Sequence, residues 1–309
     1  MIAVIGAGRW GTNYLRTFMK LGEKVGWLYS RKEETLRKAI EAAHAEGVRT
    51  TTSYGNVLAD TRTKAVVVAT DASTHFDIAR QALGAGKHVL VEKPIALRAK
   101  DAAELARIAK KKKLILMAGH LHRYNPGIQK LKEEISRKEF GKVKLIRIKT
   151  TSSGPVREDM SALWDMLPHD ITIASYLLGK YPESVSAKGE ARLKKGRADI
   201  VEAKMNFRNA RTESYASWID KKKQRIVEVI GEKGDARYDD YGKKLIVNGK
   251  QVPFENTPPL EAEARHFIEC VNKNAKPLTD GNDGLKNVKI LEAMQKSMES
   301  GKETKLLLS

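Results

Sequence analysis

The sequence predicts an α/β protein of two domains: a doubly wound parallel sheet at the N-terminus, then an α+β domain with a large, mostly antiparallel open sheet. Three observations predict this. Over residues 1–119, strand-length apolar runs alternate with stretches of helical periodicity; a glycine-rich turn follows the first run at once; and beyond residue 120 longer segments of period two take over. A chain of 309 residues is too long for one ordinary core and suits two, here 1–119 and 120–309.

Met1 to Ile5 is an apolar strand, and Gly6-Ala7-Gly8-Arg9-Trp10-Gly11 leads directly into Trp10, Tyr14, Leu15 and Phe18 at helical spacing. Strand, glycine turn and helix in that order make a dinucleotide-binding Rossmann turn. Gly6 permits the tight turn, Gly8 lets the backbone approach a pyrophosphate, and Gly11 lets the helix pack against the strand. The N-terminus of the helix, with Arg9 and Trp10, presents unpaired N–H groups to the phosphates. The alternation continues with a strand at Lys24 to Tyr29 and a helix at Lys32 to Ala45 carrying Leu36, Ala39, Ile40 and Ala43 on one face. Strands at Ala65 to Thr70, Lys87 to Glu92 and Leu114 to Gly119 follow, separated by helices at Thr74 to Leu83 and Lys100 to Ala109. Ligands on such sheets bind beyond the carboxyl ends of the strands, so the loops after Ile5, Tyr29, Ala69 and Val91 are expected to form one cleft.

The end of the second strand selects the dinucleotide, because a carboxylate there binds the ribose hydroxyls of NAD. Here the stretch is Tyr29-Ser30-Arg31-Lys32. With no carboxylate, and with the Ser30 hydroxyl and Arg31 guanidinium suited to a 2′-phosphate, NADP is the favoured cofactor; Glu33 keeps NAD as the alternative.

From His120 the pattern changes. A helix carries Ile128, Leu131 and Ile135, a strand runs from Val143 to Thr150, and a helix from Ile171 to Leu178 has Pro168 as its first helical residue. Val201, Ala203, Met205 and Phe207 then alternate with Glu202, Lys204 and Asn206, as in a strand with one wet face. Helices near Leu260 to Val271 and Asp283 to Met298 close the chain.

Composition narrows the function classes. No apolar stretch reaches the ~18 residues of a membrane-spanning helix, and the N-terminus enters its first strand without a basic leader, so a cytoplasmic protein with no membrane partner is expected. Cys270 is the single cysteine; it can form no internal disulfide, offers no thiolate cluster for a metal, and reads as a packing residue. The net charge of +19 raises nucleic acid as a partner, but Lys110 to Lys113 and Lys221 to Lys223 are short runs without interleaved aromatics and read as a solvated helix end or hairpin tip. The positive field favours an anionic cofactor and substrate.

Three separated motifs carry a more specific signal. From Val66 the chain reads VVVATDASTHFDIARQALGAGKHVLVEKP, later GHLHRYNP, and then ALWDMLPHDITIASYLLG. Together they resemble the oxidoreductase family of glucose-fructose oxidoreductase, inositol dehydrogenase and rhizopine-catabolism proteins, Gfo/Idh/MocA, firmly to about Leu178. The resemblance implies that Thr70, His75, Glu92 and Lys93 lie at the cofactor, with a cis Lys93–Pro94 bond. It also implies that Arg123, Tyr124 and Asn125 open the substrate domain and that Asp165 and His169 form the substrate-side motif. Many relatives carry an acidic residue three positions after the histidine, where this chain has Thr172.

The residues support a matching chemistry. Lys93 ends a buried strand, where partial desolvation would ease proton exchange. Asp165 near His169 would orient the imidazole and favour its protonated form. The expected reaction passes hydride from a hydroxyl-bearing carbon to the nicotinamide, His169 taking the hydroxyl proton, Lys93 steadying the alkoxide and Asp165 holding the array. Arg157 and Trp164, with Arg123, are candidate substrate contacts, since guanidinium groups suit phosphate and an indole face suits a sugar or base. The segment around Trp164 with Arg157 looks most like relatives handling nucleotide sugars, which makes a UDP-N-acetylhexosamine 3-dehydrogenase the leading expectation. An inositol or free-sugar dehydrogenase is the alternative, and a non-catalytic dinucleotide sensor the reading from another class. The open sheet leads us to expect a homo-dimer or homo-tetramer.

Overall fold

A computed structural model describes residues 1–154 and 156–308. The chain packs as two units, Met1–His120 with Pro258–Val288, and Leu121–Thr257 with Lys289–Ser309. The first boundary falls where the sequence pattern changes, but residues 258–288 return to the first unit. No compositional break marks that return.

In the first unit the elements run β1 (Ile2–Ile5), α1 (Arg9–Lys20), β2 (Val25–Tyr29), α2 (Glu33–Ala43), β3 (Arg49–Thr51), α3 (Tyr54–Ala59), β4 (Ala65–Val68), α4 (Ala72–Gly84), β5 (His88–Glu92), α5 (Ala99–Lys112) and β6 (Leu116–Gly119). The strands form one parallel sheet in the order β3-β2-β1-β4-β5-β6. Chain order reverses between β1 and β4, whose register pairs Ile2 with Ala65 and Ile5 with Val68; a crevice for ligands opens at such a switch. Every residue of β1 and β4 is buried, as a sheet covered on both faces requires, and each fully buried Val or Ile contributes about 1.5–3 kcal/mol. β3 and α3 escape the periodicity reading because β3 has three largely exposed residues and α3 buries only Val57. Lys110, Lys111 and Lys112 end α5, with Lys113 as its left-handed cap, where cations favour the helix dipole. Pro259–Lys273 forms α8, and Cys270 is buried on it.

The second unit opens with a 3-10 turn at Leu121–Tyr124 and α6 (Pro126–Ile135). It continues through β7 (Val143–Ser153), α7 (Ala162–Leu178), β8 (Ser184–Glu190), β9 (Ile200–Phe207), β10 (Ala210–Ser217), β11 (Ile219–Gly231), β12 (Asp235–Asp239), β13 (Lys244–Val247) and β14 (Lys250–Val252). The helix α9 (Gly281–Ser300) begins in the first unit and is followed by β15 (Thr304–Lys305). The described strands build a nine-stranded sheet, β14-β13-β12-β11-β7-β10-β9-β8-β15. Neighbours are antiparallel except β7 and β10, which run parallel. Ile146, Ile148, Val201 and Met205 from its inner face join Leu131 of α6 and Leu163, Leu167 and Ile171 of α7 in one core. Other side chains of the sheet are charged and exposed, with Arg147 Nε 3.1 Å from Glu213 and Arg237 Nη1 2.9 Å from Glu228.

Two expectations need correction. The helix expected at Ile171 to Leu178 starts nine residues earlier, at Ala162, and Pro168 lies inside it. A proline there removes one backbone hydrogen bond; the burial of Ala162, Leu163, Met166 and Leu167 on the preceding turns offsets that loss. Lys221 to Lys223 do not cap a hairpin but lie exposed along β11, within the break of register between Ile219 and Gln224.

Candidate functional site

The glycine turn of the first unit is shaped by what its three glycines exclude. Gly6 has φ +104°, a left-handed value that favours glycine, and an added Cβ would stand 2.4 Å from the Ala69 carbonyl oxygen. A Cβ on Gly11 would stand 1.8 Å from the Gly6 oxygen, so α1 packs on the turn only because that position is bare. Gly8 differs: nothing lies within 4 Å of its would-be Cβ, so the space above it is open. It caps α1 without any side-chain hydrogen bond, and the first turn of the helix holds no acidic residue. Exposed N–H groups, a bare backbone and no repelling carboxylate fit a pyrophosphate. Arg9, exposed, and Trp10, half-buried, are the first two residues of that helix.

Past β2, Ser30 is half-buried and Arg31 exposed, its Nη2 3.8 Å from Asp71. Thr70 and His75 bind the loops after β4 and β5 together. The Thr70 hydroxyl lies 2.8 Å from that of Thr74, while the buried His75 ring reaches the Thr70 oxygen with Nε2 (3.0 Å) and the Pro94 oxygen with Nδ1 (2.8 Å). Glu92 and Lys93 are both buried at the end of β5, the Lys93 N–H donating to Glu92 Oε2 at 3.2 Å, and the Lys93–Pro94 bond is cis.

In the second unit Asp165 and His169 sit one turn apart on α7, on the side-chain spacing that puts two residues on one helix face. The buried indole of Trp218 donates from Nε1 to Asp165 Oδ2 at 3.2 Å, and Arg157 Nη1 lies 3.9 Å from Oδ1. Arg157 also makes a two-pronged contact with Asp159, at 2.9 and 2.8 Å, and its hydrogen bonds hold the Asp159 carboxyl below the usual range. The His169 ring packs edge-on against His122, with centroids 4.7 Å apart. Trp164 is half-buried against the core.

The remaining candidates, Arg123, Tyr124 and Asn125, make contacts within the second unit. Asn125 caps α6 by accepting from the Ile128 N–H, accepts from Tyr238 and donates to Asp240 at 2.8 Å. Burial opposes ionisation of Asp240, but His122, Arg225 and Lys243 together hold its carboxyl well below the usual range. Tyr124 is buried, and the Arg123 guanidinium stacks on the Tyr176 ring at 4.3 Å. Sequence reasoning missed Trp218 and His122. His122 lies inside a motif already in view, whereas Trp218 at the corner of β10 and β11 carries no local signal. It missed Asp170 as well, which α7 buries completely under Thr150.

Comparison with known proteins shows the family. The model of the oxidoreductase family with an NAD-binding Rossmann fold matches residues 1–120, and the model of that family's C-terminal alpha/beta domain matches residues 132–306. The UDP-N-acetylglucosamine 3-dehydrogenase of Acidithiobacillus ferrooxidans is 29% identical, covering 91% of each chain. The myo-inositol 2-dehydrogenase of Thermotoga maritima is 25% identical over 99% of this chain and 98% of that one. Among solved structures, GenD2 from gentamicin A biosynthesis in complex with NAD superposes with a TM-score of 0.88 at 26% identity, covering 99% of this chain and 96% of that one. The chain therefore belongs to the Gfo/Idh/MocA family of oxidoreductases, with an NAD-binding Rossmann domain followed by the family's C-terminal α/β domain.

Proposed function

We propose that the chain is a dehydrogenase that moves a hydride between a nicotinamide dinucleotide and a secondary hydroxyl or ketone of a sugar, with a nucleotide sugar of the UDP-N-acetylhexosamine type as substrate. The observation that carries this reading is the group on α7: Asp165 and His169 one turn apart, with Trp218 and Arg157 on the carboxylate. The dinucleotide, when bound, supplies the hydride acceptor. His169 takes the hydroxyl proton, Lys93 steadies the developing alkoxide, and Asp165, fixed by the Trp218 indole, accepts from a neighbouring hydroxyl. Arg157 and Trp164 suit a diphosphate and a base, while Arg123, Tyr124 and Asn125 shape the entry to the domain.

NADP is favoured over NAD. Supporting this are the run Tyr29 to Lys32, which has no carboxylate, and the exposed Arg31. The same reading makes the protein a cytoplasmic homo-dimer or homo-tetramer joined through its open sheet. Absorbance of the reduced nicotinamide, with NADP or NAD and a panel of UDP-sugars, inositols and free aldoses, tests the reading. Reduction by UDP-sugars alone supports it, and reduction by bare polyols alone replaces it with the inositol dehydrogenase reading, which the Thermotoga relative favours. Silence across the panel, with tight dinucleotide binding, removes catalysis from the proposal.

A further inference from the structure

Beneath Lys93 lies a buried group that the proposed mechanism does not use. Tyr14 of α1 is buried, with its hydroxyl 3.0 Å from Glu92 Oε1 and 2.8 Å from Glu263 Oε2 of α8. A phenol has one proton, and ionised carboxylates only accept. Tyr14 therefore cannot donate to both, and one of the two carboxyls must carry a proton and donate to it.

The surroundings decide which. Glu92 accepts the Lys93 N–H through Oε2 and has the Lys93 ammonium working to keep it ionised, with His120, just after β6 and with its Nδ1 2.9 Å from Asp283, acting in the same direction. Glu263 is wholly buried; its second oxygen, Oε1, has no hydrogen-bond partner, and the charge that acts on it is the like-signed Glu92. A buried carboxylate with one bare oxygen is costly, whereas a neutral acid tolerates an unpaired carbonyl oxygen far better. Burial, and then the Glu92 charge, push the Glu263 carboxyl well above its ordinary value. Burial also raises Glu92, but there Lys93 is the first influence working the other way.

We propose that Glu263, Tyr14 and Glu92 form a directed chain, Glu263 donating to Tyr14 and Tyr14 to the Glu92 carboxylate, which fixes one negative charge beside Lys93 and makes Tyr14 and Glu263 positioning residues of the active site. The direction of the chain stands on the hydrogen-bond geometry and the charges around it, without any substrate. Its consequence for turnover rests on the role proposed above for Lys93.

Infrared difference spectra of the full-length protein test the direction without any substrate. At about pH 9, where Asp170, with its value of about 7, has ionised, the wild type is expected to keep the carbonyl stretch of a protonated carboxylic acid. Glu263→Gln should lose that band and Glu92→Gln should keep it. Absence of the band from the wild type, which needs no variant to fold, overturns the proposal, as does its loss in Glu92→Gln.

The pH profile of turnover tests the consequence. Glu92→Gln removes the charge and should move the alkaline limb down by about one pH unit or more, the usual influence of an adjacent opposite charge. Glu263→Gln exchanges one neutral donor for another and should leave the limb in place. A limb displaced equally by both substitutions overturns the assignment. A correct infrared pattern with a limb that neither substitution moves would retain the proton order and refute the role of Lys93.

Discussion

Asp170, the residue after His169, offers a measurable consequence of burial. It is fully buried beneath α7, with Oδ1 receiving the Thr150 hydroxyl at 3.2 Å and Oδ2 left without a hydrogen bond. Burial pushes its carboxyl from the ordinary 3.8 up to about 7, against the pull of the Arg225 guanidinium. Between those values the folded chain holds a proton that the unfolded chain has released. Stability is therefore lost as the pH rises through this window, by about 1.4 kcal/mol per pH unit. The window spans roughly three pH units, so this one group withdraws about 4 kcal/mol between acid and neutral solution. Asp170→Asn keeps the shape and an acceptor for Thr150 but cannot ionise. Urea unfolding followed by tryptophan fluorescence, to which Trp164 and Trp218 of the second unit contribute beside Trp10 and Trp27 of the first, gives the stability of each protein across the range. The variant should gain on the wild type steadily from about pH 4 to pH 7 and no further above it, and any constant offset from the amide drops out of that slope. Parallel curves for the two proteins would refute the reasoning, because they would mean that Arg225 keeps Asp170 ionised throughout.

Other substitutions test the proposed site. His169→Ala and Lys93→Ala should each lower kcat by about a hundredfold or more, with dinucleotide affinity measured by fluorescence titration nearly unchanged; full turnover in both removes them from the chemistry. Trp218→Phe keeps the ring in the core but deletes the donor to Asp165, and should lower kcat/KM by about ten- to a hundredfold, the worth of a hydrogen bond to a charged group. Arg31→Ala should weaken NADP binding by about tenfold and leave NAD binding alone, and equal loss for both would show that Arg31 does not read the 2′-phosphate. Gly11→Ala should abolish dinucleotide binding in titration, because its methyl group would meet the Gly6 oxygen at 1.8 Å; retained binding would mean that α1 can shift as a whole.

What was legible in the sequence was what repeats locally. The step from β1 through Gly6, Gly8 and Gly11 into α1 could be read because each glycine answers a separate steric demand within a few residues. The parallel sheet followed from runs such as Ala65–Val68, buried on both faces. The α7 boundary was misread because a proline is a good first residue of a helix, and local preference gives no weight to the core that Leu163 and Leu167 enter. Tyr14 was read as one more position on an apolar helix face, yet its hydroxyl meets a carboxyl 249 residues away. No periodicity carries that pairing, because it exists only once residues 258–288 rejoin the first unit.

The buried acids follow one rule with two outcomes. Asp240 is desolvated, yet it has Arg225, Lys243 and His122 around it and stays ionised. Glu263 is more completely removed from water and faces another carboxyl, and Asp170 has only one cation working against its burial, so both are pushed upward. The difference lies in the partners as well as in the depth of burial. A scaffold with no further task gains nothing by holding an acid without a matching cation, since an apolar side chain of similar volume would do as well or better. Both raised acids are neighbours of residues given chemical roles: Asp170 follows His169 in α7, and Glu263 reaches Glu92 and Lys93 through Tyr14. Perturbed acids gather where protons are handled. Asp170 in the second unit and Glu263 in the first each neighbour a residue to which the proposed reaction assigns a proton or an oxygen to hold.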